Sequence, residues 1–193
     1  MEKLRFYDFM RAGHVKRWHI VNTVRDQTIA EHQYLVAVIA MQLFSLIVGV
    51  KDDTEGFSRL VMMALFSDAP EVRYGDYPTP AKKHIRIAAG NEEIFNQLDD
   101  ALMPEIPFIG GKPHQSLRDF VEMADVIEAA HWITENKAGI HAEAVAKSTC
   151  RRMAEKVVEL TQRTRADWFD PVNKVLIELG MPYISKAMLV TPP

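Results

Sequence analysis

The sequence has one cysteine, no marked excess of either charge and no uninterrupted apolar stretch of membrane-spanning length, and each shortage sets a class of protein aside. Cys150 alone excludes an intramolecular disulfide, so a reducing, cytoplasmic home is expected. A formal net charge of −3 supplies no basic field, and nucleic acid is not an expected partner. The Lys82-Lys83 and Arg151-Arg152 pairs read as ordinary helix-surface charge. The longest apolar run, 34–50, is interrupted by Gln42 and Ser45 and falls short of the roughly 20 residues a span needs, so no membrane is expected. Glu2, Lys3, Arg5 and Asp8 stand where a secretory leader would be apolar. Internal repeats and low-complexity segments are missing too, which favours one domain over 1–193.

What is present is an average soluble composition, 48% hydrophobic and 25% charged, in a chain long enough for one well-buried core. Period-2 segments are not found and helical periodicity dominates, so the fold class is all-α. A first helix is predicted over Lys3 to Ala12 with Leu4, Phe6, Phe9 and Met10 as its apolar face. The connector His14 to Gln27 follows, polar and aromatic. Thr28-Ile-Ala-Glu31 matches a capping box and opens a long helix to about Val48, with His32 near its start. A helix over Thr54 to Ser67 ends at Pro70, which permits only a short turn after it. Thr79-Pro80 reads as an N-cap with proline at the first helical position, starting a helix to about Leu102 that breaks near Gly90. Met103 to Pro113 is the clearest loop, and helices over Ser116–Lys137, His141–Arg165 and Trp168–Leu179, with a short piece near Tyr183 to Met188, complete the chain.

The chemistry concentrates where the apolar run Leu60 to Phe66 delivers Asp68 and Glu71, with Asp76 following in a Gly/Pro-punctuated turn. Burying a carboxylate costs several kcal/mol unless it is paired, hydrogen-bonded or bound to a metal. Asp125, in the apolar helix Phe120-Val-Glu-Met-Ala-Asp-Val-Ile-Glu-Ala-Ala, either faces the core or shares the polar face with Glu122 and Glu128. His32, taken alone, reads as an ordinary core or surface histidine. As a set, His32, Asp68 and Asp125 on three predicted helices suit a divalent transition metal such as Mn, Co, Zn or Fe. Such an ion polarises a phosphoryl oxygen and activates water, and Glu71, three residues after Asp68, is the candidate general acid or base. Arg17-Trp18 pairs a fork suited to phosphate with a face suited to a nucleobase. Asp76, Tyr77, Pro78 and Thr79 form a rigid turn beside Glu71.

These blocks, Lys16-Arg17-Trp18, Glu31-His32, Asp68-Ala69-Pro70-Glu71-Val72, Gly75-Asp76-Tyr77-Pro78-Thr79-Pro80 and Met123-Ala124-Asp125, resemble the YfbR-like HD-domain 5'-deoxynucleotidases. The resemblance implies an all-helical, homodimeric, metal-dependent phosphohydrolase releasing phosphate from deoxynucleoside 5'-monophosphates. It implies His32, Asp68 and Asp125 as metal ligands, Arg17 on the phosphate and Trp18 lining the nucleoside pocket. Glu71 then serves the hydrolytic water, and Asp76 to Thr79 touch the sugar or base. It extends to related enzymes that act on nucleoside triphosphates, a triphosphohydrolase of dATP type being the alternative. One departure stands out: Ser67 occupies the position of the first residue in the family's His-Asp pair. His19, His84 and His131 are the sequence candidates to replace it. A nucleotide-binding domain short of one metal ligand and without catalysis is the remaining alternative.

Overall fold

A threonine hydroxyl opens the central helix. In this computed structural model, which describes residues 2–103 and 115–189, Thr28 Oγ accepts from the Glu31 backbone N–H at 3.2 Å and α2 runs Ile29–Ile47. The capping box is only half made, because the Glu31 carboxylate turns to Arg25 at 2.7 Å. Along α2, Val36, Ala40, Leu43 and Phe44 recur at helical spacing and are all buried. They meet Leu60 and Ala64 of α3 (Thr54–Phe66), Phe120, Met123 and Ile127 of α7 (Gln115–Asn136), and Val172 and Leu176 of α9 (Phe169–Glu178) in one core. Complete burial of a Leu43 or Phe44 side chain is worth about 1.5–3 kcal/mol. Helix α8 (Gly139–Thr164) packs on α7 and adds Val157 and Leu160. Among the described residues α2 alone is long and apolar enough to cross a membrane. Its packing against α3, α7 and α9 accounts for that composition.

The all-α expectation holds with one small addition. β1 (Lys16–Arg17) pairs antiparallel with β2 (Gln27–Thr28), Lys16 opposite Thr28, a ladder too short to leave an alternating pattern. It fastens the connector at its start. Farther along, the Val24 N–H donates to the Asn136 carbonyl at 2.9 Å and the Ala138 N–H to the Asn22 carbonyl at 3.0 Å, holding the connector against the end of α7.

A second cluster, Leu4, Ala12, Ile29, Ala69, Val72 and Leu102, joins the N-terminal segment to α4 (Glu71–Tyr74) and α6 (Ile94–Leu102). Here the first predicted helix is corrected. Only Phe6–Phe9 is α-helical (α1), followed by a 3-10 turn at Ala12–His14. Leu4 is buried and Phe9 meets Phe66 edge-on at 5.2 Å, but Phe6 and Met10 are exposed, since one turn of helix presents too narrow a face to bury all four. The helix expected to reach Leu102 is two, α5 (Thr79–Ala89) and α6, parted at Gly90 in a left-handed conformation at φ 60°. Thr79 is the first helical residue and Pro78 the cap, so the threonine hydroxyl has no capping bond. The other helices lie within one or two residues of expectation, with a 3-10 turn at Lys186–Leu189 as the last element. The expected loop over Met103 to Pro113 lies, but for Met103, outside the described residues.

Candidate functional site

Three segments deliver four titratable groups to one point. His32 sits in the first turn of α2, buried among its apolar neighbours. Its Nε2 lies 3.2 Å from Asp68 Oδ2 and 3.2 Å from Asp125 Oδ1. Nδ1, on the opposite edge of the ring, lies 2.5 Å from Glu128 Oε2. Asp68 comes from the turn between α3 and α4, and Asp125 and Glu128 stand three residues apart on one face of α7. The structure therefore places Asp125 on the side that faces His32. The carboxylate is still half-exposed, because it also lines an open cleft of about 570 Å³ between α7 and α8 with Glu122, Arg152 and Lys156.

The backbone that carries Asp68 is itself held. With its amide oriented to satisfy both neighbours, Gln33 accepts through Oε1 from the N–H groups of Asp68 at 3.1 Å and Ala69 at 3.0 Å. Gln33 is buried and adjacent to His32, so one turn of α2 presents the imidazole and fixes the peptide unit of its partner. Ser67, one residue earlier, is exposed, and its hydroxyl donates back to the Ala64 carbonyl at 3.1 Å.

Arg17 and Trp18 reach the same place from β1. Arg17 Nη1 approaches Glu128 Oε2 at 3.3 Å and Gln27 Oε1 at 3.4 Å, and its Nε stands 3.8 Å from Asp76 Oδ2 without a hydrogen bond. Trp18 donates through Nε1 to Gln27 Oε1 at 2.8 Å and stacks on Trp132 at 5.6 Å and 8°. Its φ of 61° is left-handed, a conformation that costs a non-glycine residue on the order of 1–3 kcal/mol and is kept where surroundings enforce it. Gln27 closes the ring of contacts by donating to Glu128 Oε1 at 2.5 Å.

Glu71, buried at the start of α4, receives a bond from Lys82 Nζ of α5 on Oε1 at 2.7 Å, whereas Oε2 is buried with no hydrogen-bond partner. Gly75 ends α4 at φ 87° with open space around its Cα, so the backbone angle alone calls for glycine. The chain then turns to bring Asp76 towards Arg17. Tyr77 goes elsewhere, lying over Tyr74 at 6.0 Å and Phe95 at 6.0 Å, and Thr79 is exposed.

Charge is unevenly distributed. Five carboxylates, Asp68, Glu71, Asp76, Asp125 and Glu128, surround two permanent cations, Arg17 and Lys82. Burial and the Arg17 charge act against an imidazolium at His32, but the hydrogen bonds its ring donates to Asp125, Asp68 and Glu128 outweigh them and raise its pKa well above the usual value. Burial opposes ionisation of Asp125, yet its bond to His32 and the charges of His32, Arg17 and Arg152 hold it at about 2. Burial, then the Asp68 charge, pushes Glu71 up to about 8 against the pull of Lys82.

The donor set fits a divalent cation. Among the described residues no group of three or more His, Cys, Asp or Glu side chains is spaced to hold a metal ion as it stands; His32, Asp68 and Asp125 instead contact one another through the imidazole. The 3.2 Å separations are close to the roughly 3.3 Å between ligand atoms that tetrahedral bonds of about 2.0–2.1 Å would give. Glu128 on Nδ1 is the carboxylate partner that a ligating histidine ordinarily has, fixing Nε2 as the ligand atom. The surplus negative charge supplies the rest of the argument.

Sequence reasoning brought His32, Asp68 and Asp125 together and missed Glu128, Gln27, Gln33 and Lys82. Glu128 had one signal, its position three residues after Asp125; the two glutamines had none. No hydrogen bond or ion pair among the described residues joins His19, His84 or His131 to the cluster.

Comparison with known proteins agrees with the fold. The family described as 5'-deoxynucleotidase YfbR-like matches residues 5–170. The chain is 36% identical over 140 residues to a dATP triphosphohydrolase of Salmonella phage PMBT28, covering 70% of this chain and 69% of that one. It is 30% identical over 155 residues to a 5'-deoxynucleotidase of Vibrio parahaemolyticus, covering 74% and 79%. Among solved structures it is similar, with a TM-score of 0.72 and 22% identity, to a cyanophage S-2L HD phosphohydrolase bound to dA and one catalytic Zn2+ ion. That likeness covers 93% of this chain and 96% of that one.

Proposed function

From the premise that the chain belongs to the YfbR-like 5'-deoxynucleotidase family, we propose that it is a metal-dependent phosphohydrolase acting on 2'-deoxynucleoside 5'-monophosphates. The observation that carries this reading is His32 Nε2 held between Asp68 and Asp125, with the buried Arg17 and Glu71 electrostatically coupled to Asp68. His32, Asp68 and Asp125 would hold the metal, a divalent ion such as Co, Mn, Zn or Fe. When bound, the ion polarises a phosphoryl oxygen and lowers the pKa of water.

The chain's own groups do the remaining work. Glu128 orients the His32 ring, and Gln33 orients the Asp68 backbone. Arg17 turns its unengaged Nε edge to the phosphate, where a planar fork binds paired oxygens. Water attacks phosphorus and the bond to the 5'-oxygen breaks. In its ionised form Glu71 takes the water's proton on Oε2 while Lys82 keeps Oε1 in place, and the departing 5'-oxygen takes up a proton from solvent to leave as the nucleoside. Trp18, backed by Trp132, offers a flat surface to the base. Asp76, 3.8 Å from Arg17 Nε, is the residue of its turn placed to meet the sugar, whereas Tyr77 packs on Tyr74 and Phe95.

A second reading, a triphosphohydrolase of dATP type, is favoured by the 36% identity to the Salmonella phage protein of that name. A homodimer is part of the proposal and is supported by the exposed Tyr34 and Val38 on α2; light scattering tests it. A cytoplasmic location rests on the unpaired Cys150.

Chromatographic product analysis separates the readings. Incubated with each deoxynucleoside mono- and triphosphate and divalent metal, the protein is expected to release nucleoside and phosphate from the monophosphates. Release from triphosphates alone would select the second reading. No turnover of any substrate with any metal, despite nucleotide binding, would leave a binding domain and overturn the hydrolase.

A further inference from the structure

Four side chains follow one another along α7 at helical spacing, and each meets a different part of the site. Trp132 stacks on Trp18, Glu128 holds His32 and Arg17, Asp125 lies against His32 Nε2, and Glu122 reaches Lys156 of α8 at 2.7 Å. A helix rises about 1.5 Å per residue, so Glu122 stands roughly 4.5 Å beyond Asp125 along the axis and Trp132 roughly 10.5 Å to the other side of it. A deoxynucleotide with its base on Trp18 and its phosphate beside Asp125 therefore points any further phosphate towards Glu122. Room is available there, because the open cleft of about 570 Å³ that Asp125 shares with Glu122, Arg152, Glu155, Lys156 and Glu159 begins at that point.

Size admits a longer phosphate chain to this cleft, but charge opposes it. The lining brings four carboxylates against two cations. Both cations are engaged. Lys156, a lysine mostly covered by its neighbours, holds Glu122 Oε2 at 2.7 Å and Glu159 Oε1 at 3.1 Å, and the Arg152 charge acts on Asp125. We propose that Glu122 is the specificity-determining residue for phosphate number: by engaging Lys156 it keeps the cleft acidic beside Asp125 and turns away deoxynucleotides that carry more than one phosphate. Each added phosphate brings further negative charge within about a helical turn of the Glu122 carboxylate, where like charges repel strongly. The inference rests on reading the site as one for deoxynucleotides, but not on their turnover.

Calorimetric titration of the full chain with a deoxynucleoside mono- and triphosphate of the same base, in Mn2+ and in a Glu71→Gln background that slows turnover, reads the two affinities and their ratio. With Glu122 in place, the monophosphate is expected to bind at least as tightly as the triphosphate. Glu122→Gln keeps the volume and releases Lys156 from one of its two carboxylates. It is expected to shift the ratio towards the triphosphate by about tenfold or more, the effect of one charge a few ångströms away near a protein surface, with the monophosphate affinity held within a few-fold. Glu122→Asp, which keeps the charge, is expected to leave the ratio as it was. Adding Lys156→Gln to Glu122→Gln is expected to remove most of the gain, because the freed ammonium is the group a second phosphate meets. Tighter binding of the triphosphate with Glu122 in place, an unchanged ratio in Glu122→Gln, the same shift in Glu122→Asp, or a gain that survives Lys156→Gln would each overturn the proposal. Glu122 is about half exposed, and thermal melting confirms that the variants fold. Binding of neither nucleotide would overturn the deoxynucleotide reading and this inference with it, whereas binding of both in a ratio that ignores Glu122 would sink this inference alone.

Discussion

Glu128 Oε2 lies 2.5 Å from Nδ1 of His32, deep in the bundle, while Oε1 of the same carboxylate takes a bond from Gln27 at 2.5 Å. One side chain thus sets the tautomer and tilt of the imidazole and anchors the segment bearing Arg17 and Trp18. Glu128→Gln keeps the volume but removes the charge. Metal affinity is expected to fall by roughly 10–100-fold, the usual cost of losing a ligand's outer partner. Calorimetric titration checks this, and an unchanged affinity would show that the ring needs no such partner.

Glu71 gives the metal-free protein a pH signature. Its folded pKa of about 8 stands above the roughly 4.3 of an unfolded chain, so the folded state holds the proton more tightly. The resulting stabilisation is fully present below the unfolded value and is lost as pH rises through 8. In chelator, the melting temperature should therefore fall between about pH 5 and 8. Glu71→Gln should flatten that slope below about pH 6.5, leaving one of the same sign above it from His32, whose pKa is also raised. A parallel curve for the variant would mean that Glu71 is ionised throughout. The same substitution is expected to lower phosphate release by on the order of 10²–10⁴-fold, the usual contribution of a general base.

Gln33 should matter although it reaches neither metal nor substrate. Gln33→Leu leaves the Asp68 and Ala69 N–H groups without their acceptor, at a cost of about 1–3 kcal/mol for each that stays buried. Urea unfolding of the metal-free protein measures the loss, and a midpoint equal to that of the natural protein would remove Gln33 from the account. The variant should also bind metal more weakly, because Asp68 then sits on an untied turn.

Trp18 separates nucleoside binding from metal binding. Trp18→Ala should raise KM for the deoxynucleotide by about tenfold or more, since stacking on an aromatic face contributes roughly 1–3 kcal/mol per base. Metal affinity should stay as it was. Trp18→Phe, which keeps a face against Trp132 but loses the bond to Gln27, should recover most of the binding.

His32, Asp68 and Asp125 were legible in the sequence because ligand-type residues stood inside apolar helical patterns, where a charge needs a reason. The helices were legible for the same periodicity. Glu128 was hidden by that very rule, since a glutamate beside Glu122 and Asp125 matches any solvated helix face. Only the crossing of α2 over α7 turns it inward. Phe6 and Met10 failed differently: apolar spacing announced a buried face, but the helix is one turn long and only Leu4 and Phe9 find neighbours. Thr79 has the composition of a cap, yet the Gly75 turn delivers Pro78 to that place. Gln27 and Gln33 act through backbone and side-chain partners far away in sequence, and no local pattern records such partners.

The account stands most directly on the seat formed by His32, Asp68 and Asp125. The measurement is phosphate release from a deoxynucleoside 5'-monophosphate by the natural protein and by His32→Ala, each with bound metal quantified in the same sample. The natural protein should bind one ion and release phosphate, with release abolished by chelator and restored by metal. His32→Ala should lose the ion and the activity together. Full activity in chelator, or in His32→Ala without bound metal, would contradict the account.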